Sequence, residues 1–448
     1  MWEIVHLPME HSFFDDFHSY SIEEQQEQIN KALGVTEFKA PFSWISPEKI
    51  AVQPIYFNNP IQQKRSITTV PFAWKVTQRI CIEGDLDYVL IQVNDALSSD
   101  VDCIHFFVNE QTNNFGELIE IIKNSAISFL FIFREIPSHK VLSQLHGLRN
   151  IESAVDFYGQ YAQQANWKLS AEEMHERWFS FMESNVDAPL FINASLYANA
   201  GANIVQQIAF ALSHLNAYLS LLEERAIAFP SSIHVQLSQG SNYFFELAKL
   251  ASFRSLAEMM IKEYSAMPEL IITAEPLQRN KTTTDYNVNI LRTTTEMMSA
   301  VLGGANRVMN HPYDLRFNPP NAFGDRIARN QLHILKHESY FDRLPNVMEG
   351  CYYVETLQHE MKDKAWSLFL EVEQNGGWLR ALESNSLQSD IEHSRGEEDE
   401  RFSKGELILV GTNKFASPSS LNATVKTVED RVENKKDLFR PLETHYLS

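Results

Sequence analysis

The chain has 448 residues, and its 44% hydrophobic and 21% charged residues are typical of a globular protein with a large core. Its formal net charge of −20 argues against nucleic acid as a partner, because phosphate backbones are bound by clustered Lys and Arg residues. The longest apolar run, residues 126–133, is too short to span a bilayer, and the acidic N-terminus lacks the pattern of a signal peptide. We therefore expect a cytoplasmic protein that does not bind membranes.

The first 60 residues predict an N-terminal arm. Helical periodicity is confined there to a stretch near Ile22–Leu33. The segment SPEKIAVQPIYFNNP is expected to be extended, because Pro54 and Pro60 prevent a helix. An arm of this kind would lie along a neighbouring domain or reach a partner.

Residues 61–383 show strands that alternate with helices, which is the pattern of parallel βαβ units. The stretch between the third and fourth strands, residues 135–189, is longer than one unit needs and predicts an extra helix. Eight strands close an α/β barrel, so the predicted fold class is α/β, a (β/α)8 TIM barrel. The eight predicted strands are Trp74–Ile80, Cys103–Val108, Ile127–Arg134, Leu190–Leu196, Ile233–Ser238, Leu270–Ala274, Arg307–Tyr313 and Cys351–Leu357.

The clearest helical signals lie between residues 285 and 382. The first helix ends at Gly303–Gly304, because glycine tolerates the left-handed turn of a C-cap. A second helix is predicted at about Asp325–Glu338, and a third carries an apolar stripe and ends at Gly376–Gly377. Residues 384–448 then predict a charged linker, a short strand in ELILVGTNKF and a polar tail.

Neither the cysteines nor the histidines predict a metal site. Cys81, Cys103 and Cys351 lie in or near predicted strands without metal-ligand spacing, which favours buried thiols in a reducing compartment. His333 and His337 are four residues apart on a predicted helix, but no Glu stands in the catalytic position between them. We interpret both histidines as structural.

Five blocks in the second half of the chain carry a family resemblance: NILRTTTEMMSAVLGG, RIARNQLHILKHES, YYVETL, KAWSLFLEVEQNGGWLRAL and ELILVGTNKF. In this order they resemble the barrel domain of the methylmalonyl-CoA mutases, and within that family the small, or β, subunit of the heterodimeric bacterial enzyme. The resemblance extends upstream through AGANIVQQIAFALSHLNAYL and SNYFFELAKLASFRSL. In that family the N-terminal segment contacts the other subunit.

The resemblance also implies where catalytic side chains should stand. The family's Tyr-His pair, whose His hydrogen-bonds the migrating carbonyl, corresponds here to Ser195 and Leu196, and Leu196 has no proton to donate. A second family Tyr corresponds to Thr69. A His-x-Gln pair corresponds to Thr273 and Glu275, and a carboxylate there would repel an acyl-CoA anion.

Two neighbouring residues do not restore these roles. Tyr197 would replace the missing His only after a shift of one position, and Arg177 is interpreted as a solvated helix residue rather than a clamp for the substrate carboxylate. The degenerate positions therefore predict no catalytic, cofactor-binding or metal-binding residue on this chain, and no remnant acyl-CoA pocket.

The family's radical chemistry comes from adenosylcobalamin, which is bound by a flavodoxin-like domain with the motif Asp-x-His-x-x-Gly. This motif is not in the sequence, so we expect no flavodoxin-like domain here and adenosylcobalamin on a partner α subunit. The leading hypothesis is a non-catalytic β subunit of a methylmalonyl-CoA mutase heterodimer. The alternatives are the barrel subunit of a split mutase that acts with a separate cobalamin-binding protein, and an assembly or reactivation factor for a mutase.

Overall fold

A computed structural model describes residues 20–37, 42–57, 73–83, 86–108, 114–164, 170–185, 187–264, 267–343 and 346–416. The chain divides into two units, Met1–Pro60 and Ile61–Ser448. In the described part of the chain, no helix is long and apolar enough to cross a membrane.

The first unit contains one helix and one short hairpin. Helix α1 (Ile22–Leu33) confirms the predicted helix, and a capping box fixes its start: the Glu24 N–H donates to Ser21 Oγ, and the Ser21 N–H donates to the Glu24 carboxylate. Strands β1 (Trp44–Ile45) and β2 (Ala51–Val52) pair antiparallel in the segment predicted to be extended.

The second unit is built on an eight-stranded parallel sheet that is nearly closed into a barrel, with helices around it. Consecutive strands are neighbours, and the first strand pairs with the last: Arg307 lies beside Lys75. This confirms the predicted α/β barrel fold. The strands are β3 (Lys75–Ile82), β4 (Cys103–Val108), β5 (Ser128–Phe133), β6 (Ile151–Val155), β7 (Leu190–Asn193), β8 (Ser232–Gln239), β9 (Glu269–Pro276) and β10 (Arg307–Met309).

The helices around and beyond the barrel bury apolar faces against it. The helix that ends at His333 continues for a single π-helical turn, Ile334–Glu338. The helices are α2 (Leu86–Leu97), α3 (Gly116–Ile122), α4 (His139–Leu145), α5 (Phe157–Gln164), α6 (Ala171–Ser184), α7 (Ser195–Ala200), α8 (Ile204–Glu224), α9 (Tyr243–Glu263), α10 (Val288–Leu302), α11 (Ala322–His333), α12 (Tyr352–Gln374), α13 (Gly377–Glu383) and α14 (Ser386–Ser403).

The last predicted strand is wrong. Cys351–Leu357 forms the start of α12, in which Val354, Leu357, Met361 and Ala365 are buried at helical spacing. The missing strand is β6, which lies within residues 135–189, where only an extra helix was predicted. The sequence of β6, IESAV, contains a glutamate and a serine and so has no continuous apolar run.

The charged segment after residue 384 is also not a linker. It forms α14, whose few apolar residues, Leu387, Ile391 and Phe402, are buried at helical spacing. Two of its acidic residues, Glu398 and Asp399, form ion pairs with the buried Arg279. ELILVGTNKF is a turn and not a strand, since it makes only a single bridge between Val410 and Lys414. Cys103 is buried as predicted, but Cys81 and Cys351 are only half-buried.

One seam of the barrel is closed by a side chain. Among the described residues, β6 and β7 stand at the two ends of the strand order and share no ladder of hydrogen bonds. Asp156 follows β6 directly, and its Oδ2 accepts the backbone N–H of Asn193, the last residue of β7, at 2.8 Å. Its Oδ1 accepts the N–H of Gly159 at 2.8 Å. The carboxylate therefore substitutes for part of the missing ladder.

Candidate functional site at the carboxyl end of the barrel

The carboxyl ends of the barrel strands are the place where barrel enzymes hold their catalytic groups. The structure brings two of the predicted positions together there. Glu275 lies near the end of β9, and Ser195 begins α7 just after β7. Thr273 lies two residues before Glu275 on β9, deeper in the barrel, and is 1% exposed. Thr69 lies outside the described residues.

Glu275 is held by one side chain from β3 and one from the segment after β10. His311, which follows β10, places Nε2 at 2.9 Å from the Glu275 carboxylate, and the Arg79 guanidinium of β3 lies 3.7 Å from the same oxygen. Arg79 also stacks over the ring of Phe107 with its carbon 4.1 Å from the centroid. Arg79, Glu275 and His311 are called the mouth trio below.

The mouth trio fixes protonation states that do not suit general-base catalysis. Burial raises the pKa of the Glu275 carboxyl, but the His311 hydrogen bond and the Arg79 charge outweigh it and lower that pKa to about 2. Burial also lowers the pKa of His311. At neutral pH a neutral His311 therefore donates its Nε2–H to an ionised Glu275, and a carboxylate this acidic is a poor general base.

A second polar layer crosses the barrel axis below the mouth trio. Four alternate strands supply it, as in the side-chain layers of other α/β barrels: His105 from β4, Glu152 from β6, His234 from β8 and Arg307 from β10. The Arg307 guanidinium donates to His105 Nε2 at 3.2 Å and to His234 Nδ1 at 3.3 Å. It also lies 3.9 Å from Glu152, on the strand diametrically opposite. These four residues are called the axial layer.

The contacts of the axial layer mean that side chains occupy the axis itself. Because arginine only donates, both histidines accept from it and must be neutral. Burial, reinforced by Arg307, lowers the pKa of His105 and of His234 well below the ordinary value. An apolar cluster on the barrel wall, made of Leu130, Ile132, Ala154 and Phe191 with Phe107 against it, completes the filling.

Leu196 and Tyr197 begin the short helix α7 and are both buried. Leu196 is 8% exposed, while Tyr197 is fully buried and its hydroxyl is committed. Tyr197 Oη accepts the indole N–H of Trp378 at 2.6 Å and lies 3.2 Å from His214 Nδ1. Tyr197 therefore does not supply a free proton donor at the mouth. Arg177 lies on the exposed side of α6.

Comparison with known proteins places this barrel in a family. Residues 138–440 match the family model described as methylmalonyl-CoA mutase. The chain belongs to the methylmalonyl-CoA mutase family. The matched range covers most of the barrel together with α12, α13 and α14.

The relatives of this mutase-family chain include separate subunits. It is 27% identical to the methylmalonyl-CoA mutase small subunit of Porphyromonas gingivalis, over 90% of this chain and 71% of that protein. It is 33% identical to the methylmalonyl-CoA mutase of Cereibacter sphaeroides, over 48% of this chain and 32% of that protein. The large subunit of Porphyromonas gingivalis is 27% identical over 58% of this chain and 38% of that protein. The chain thus aligns with only about a third of the latter two relatives.

The described part of this family member contains no group of three or more His, Cys, Asp or Glu side chains that could hold a metal ion. His311 is the histidine at the mouth of the barrel in the described part of the chain, and its Nε2 is engaged by Glu275 while the side chain is 4% exposed. One ring nitrogen of His311 thus lies against Glu275, and the other, Nδ1, has no hydrogen-bond partner among the described residues.

Four of the residues that organise the site were not singled out from the sequence: Arg79, His311, Arg307 and Asp156. A signal existed for three of them. Arg307 and His311 have the same parity along β10 and its extension, and Arg79 lies inside a predicted strand, so alternation would have pointed them inward. Asp156 had no such signal, because its strand was missed.

Proposed function

We propose that this chain is the non-catalytic β, or small, subunit of a heterodimeric adenosylcobalamin-dependent methylmalonyl-CoA mutase. Its partner would be the α subunit, which binds adenosylcobalamin and the CoA ester and interconverts methylmalonyl-CoA and succinyl-CoA. The observation that supports this most is Arg307, because its guanidinium crosses the barrel to Glu152 on the opposite strand. Side chains can fill the axis in this way only in a barrel that does not have to admit an acyl-CoA arm.

A ligand could enter the axis only by breaking the contacts of the axial layer. Displacing Arg307 would remove the donor that His105 and His234 share and would separate Arg307 from Glu152. Arg307 is 5% exposed and both histidines of the axial layer are 0–1% exposed, so water does not reach their hydrogen bonds, whereas the Glu152 side chain is 31% exposed and its ion pair is partly screened. A ligand that entered the axis would have to displace this layer and also the mouth trio.

The chemistry of the mouth points in the same direction. The ionised Glu275 neutralises Arg79, so this pair presents no net positive charge to the carboxylate and phosphates of the substrates of the proposed holoenzyme. Leu196 stands in place of the family's proton donor, and the Tyr197 hydroxyl is occupied by Trp378. Similarity to the small subunit of Porphyromonas gingivalis over 90% of this chain supports a partnership with a larger subunit.

The proposal is tested by co-expressing this chain with a cobalamin-bearing α subunit and assaying each chain alone and the purified complex. We expect a stable one-to-one complex, with mutase activity in the complex. Leu196→Ala and Ser195→Ala should leave kcat of the complex within about twofold, because neither residue contacts substrate. The matched control is the substitution of the α-subunit residues at the same two alignment positions, which should abolish turnover.

Two results would favour the alternatives. Cobalamin-dependent turnover by this chain with only a separate cobalamin-binding protein would establish the split mutase. A complex that forms only transiently, with full activity of the α subunit after this chain is removed, would establish an assembly or reactivation factor.

A further inference from the structure

A cleft opens beside the mouth trio, between β3, the segment after β10 and α11. Its volume is about 40 Å³, which is room for roughly three water-sized groups. Four apolar residues line part of it, namely Pro312, Leu315, Pro319 and Pro320. The polar lining includes His311, Asp314 and Asp325. The cleft therefore combines an apolar collar with an acidic floor.

Asp314 is a buried carboxylate that makes no ion pair with the described residues. It is 3% exposed, and its Oδ2 accepts two neutral amide N–H groups, from Asn318 and Asn321, each at 2.9 Å. Its Oδ1 has no hydrogen-bond partner among the described residues. Gly324 of α11 lies close to that oxygen, so the helix N-terminus adds about half a positive charge at most. A buried carboxylate normally has a full counter-charge.

A second acceptor in the cleft is also unpaired. Because His311 donates its Nε2–H to Glu275, its Nδ1 carries a lone pair, and this buried nitrogen has no partner in the described part of the chain. Asp325 is 5% exposed and adds a carboxylate, which receives the Gln92 amide at 3.0 Å. The one cation in the lining, Arg79, is neutralised by Glu275.

We infer that this cleft binds a primary ammonium group on a short apolar stem. The group has several N–H donors for Asp314 Oδ1 and His311 Nδ1, and its charge compensates Asp314. A stem of one or two carbons would fill the remaining volume against the proline collar. The same chemistry is presented by a free alkylamine and by the end of a lysine side chain. Binding to the isolated chain does not depend on the proposed function, whereas the assignment of its source rests on that function.

The first test is calorimetric titration of the full chain with ethylammonium chloride at constant ionic strength. We expect saturable binding of ethylammonium and at least tenfold weaker binding of tetramethylammonium, which has the charge but no N–H donor. Asp314→Asn keeps the shape of the side chain and should weaken ethylammonium binding at least tenfold. Asp102→Asn, at the opposite end of the barrel, is the matched control and should leave it unchanged.

If Asp314→Asn does not fold, the comparison between the two ammonium ions on the unaltered chain still decides the question. Equal binding of both ions, or no saturable binding of ethylammonium, would overturn the inference. Repeating the titration on the complex with the α subunit separates the two sources: loss of binding there assigns the group to a partner lysine, and retention assigns it to a free amine.

Discussion

The two buried polar networks of the barrel differ in how completely their atoms are paired. At the seam, Asp156 Oδ1 accepts hydrogen bonds from Tyr218 and His214. The other ring nitrogen of His214 contacts the Tyr197 hydroxyl, which in turn accepts the indole N–H of Trp378. Each donor in this series therefore meets an acceptor. In the axial layer, a single nitrogen of Arg307 donates to both His105 and His234. The other ring nitrogen of His105, Nδ1, has no partner among the described residues.

This difference separates two uses of buried polarity. A fully paired network stabilises and fixes a single arrangement, whereas a partly paired network costs stability relative to an apolar filling. The seam network therefore holds the barrel closed where β6 and β7 lack a ladder. The axial layer fills the axis without contributing comparable stability.

The largest expected effect is at Asp156. Asp156→Ala removes the acceptor for two backbone N–H groups and two side chains, all buried, so unfolding free energy should fall by about 3–5 kcal/mol. Urea denaturation followed by circular dichroism measures it. Asp363→Ala, on the exposed face of α12, should change the same quantity by less than about 0.5 kcal/mol. A loss at Asp156 no larger than that of the control would show that the seam does not depend on this carboxylate.

The next effect is the acid sensitivity of the mouth trio. Glu275 has a pKa of about 2 in the folded chain against an ordinary value of 4.5, so its contribution to stability is complete above pH 4.5 and is lost as the pH falls towards 2. Glu275→Gln removes this contribution and should flatten the decline of unfolding free energy between pH 4.5 and 2. Denaturant titrations at several pH values test this. An unchanged pH profile in the variant would exclude the mouth trio as its cause.

A weaker pH effect is expected from the axial layer. Burial lowers the pKa of His105 and His234, so the folded chain resists protonation while the unfolded chain accepts protons below about pH 6.5. Unfolding free energy should therefore decline as the pH falls below that value. His105→Gln keeps an acceptor for Arg307 and should make the decline shallower, whereas His393→Gln on exposed α14 should not. Equal slopes in both variants would contradict the neutral, buried state of His105.

The smallest effect concerns the indole that reaches the seam. Trp378→Phe keeps an aromatic ring against His214, with which Trp378 is stacked at 4.6 Å, but removes the N–H donated to Tyr197. The loss should be about 1 kcal/mol. Trp74→Phe is the matched control for the change in ring size, because Trp74 is also buried and its indole N–H has no partner among the described residues. If both variants lose the same stability, the hydrogen bond contributes nothing and only ring volume matters.

Particular residues explain which parts of this fold the sequence could predict. Seven barrel strands were found because their outward faces are apolar and pack under helices, as in Phe129, Phe131 and Phe133 of β5. Strand β6 was missed because Glu152 faces the axial layer, so the strand has the composition of a loop. The start of α12 was taken for a strand because aromatic and β-branched residues in CYYVET favour strands locally, and tertiary packing decided otherwise.

The sequence predicted where the candidate site lies, but it did not predict which side chains contact one another there. The family pattern located Ser195, Leu196, Thr273 and Glu275, and the structure puts Ser195 and Glu275 at the mouth. The partners of Glu275 are Arg79 on β3 and His311 after β10, which lie 196 and 36 residues away from it along the chain. Only the closed barrel brings the three side chains together. Spacing along the chain contains no such information.

The most direct test of the non-catalytic proposal is the number of acyl-CoA sites in the purified complex. Calorimetric titration with succinyl-CoA, or with a non-reactive acyl-CoA, measures it. A filled axis in this chain predicts one site per heterodimer and no binding to this chain alone. Two sites per heterodimer, or saturable binding to the isolated chain, would contradict a barrel closed by Arg307 and the mouth trio.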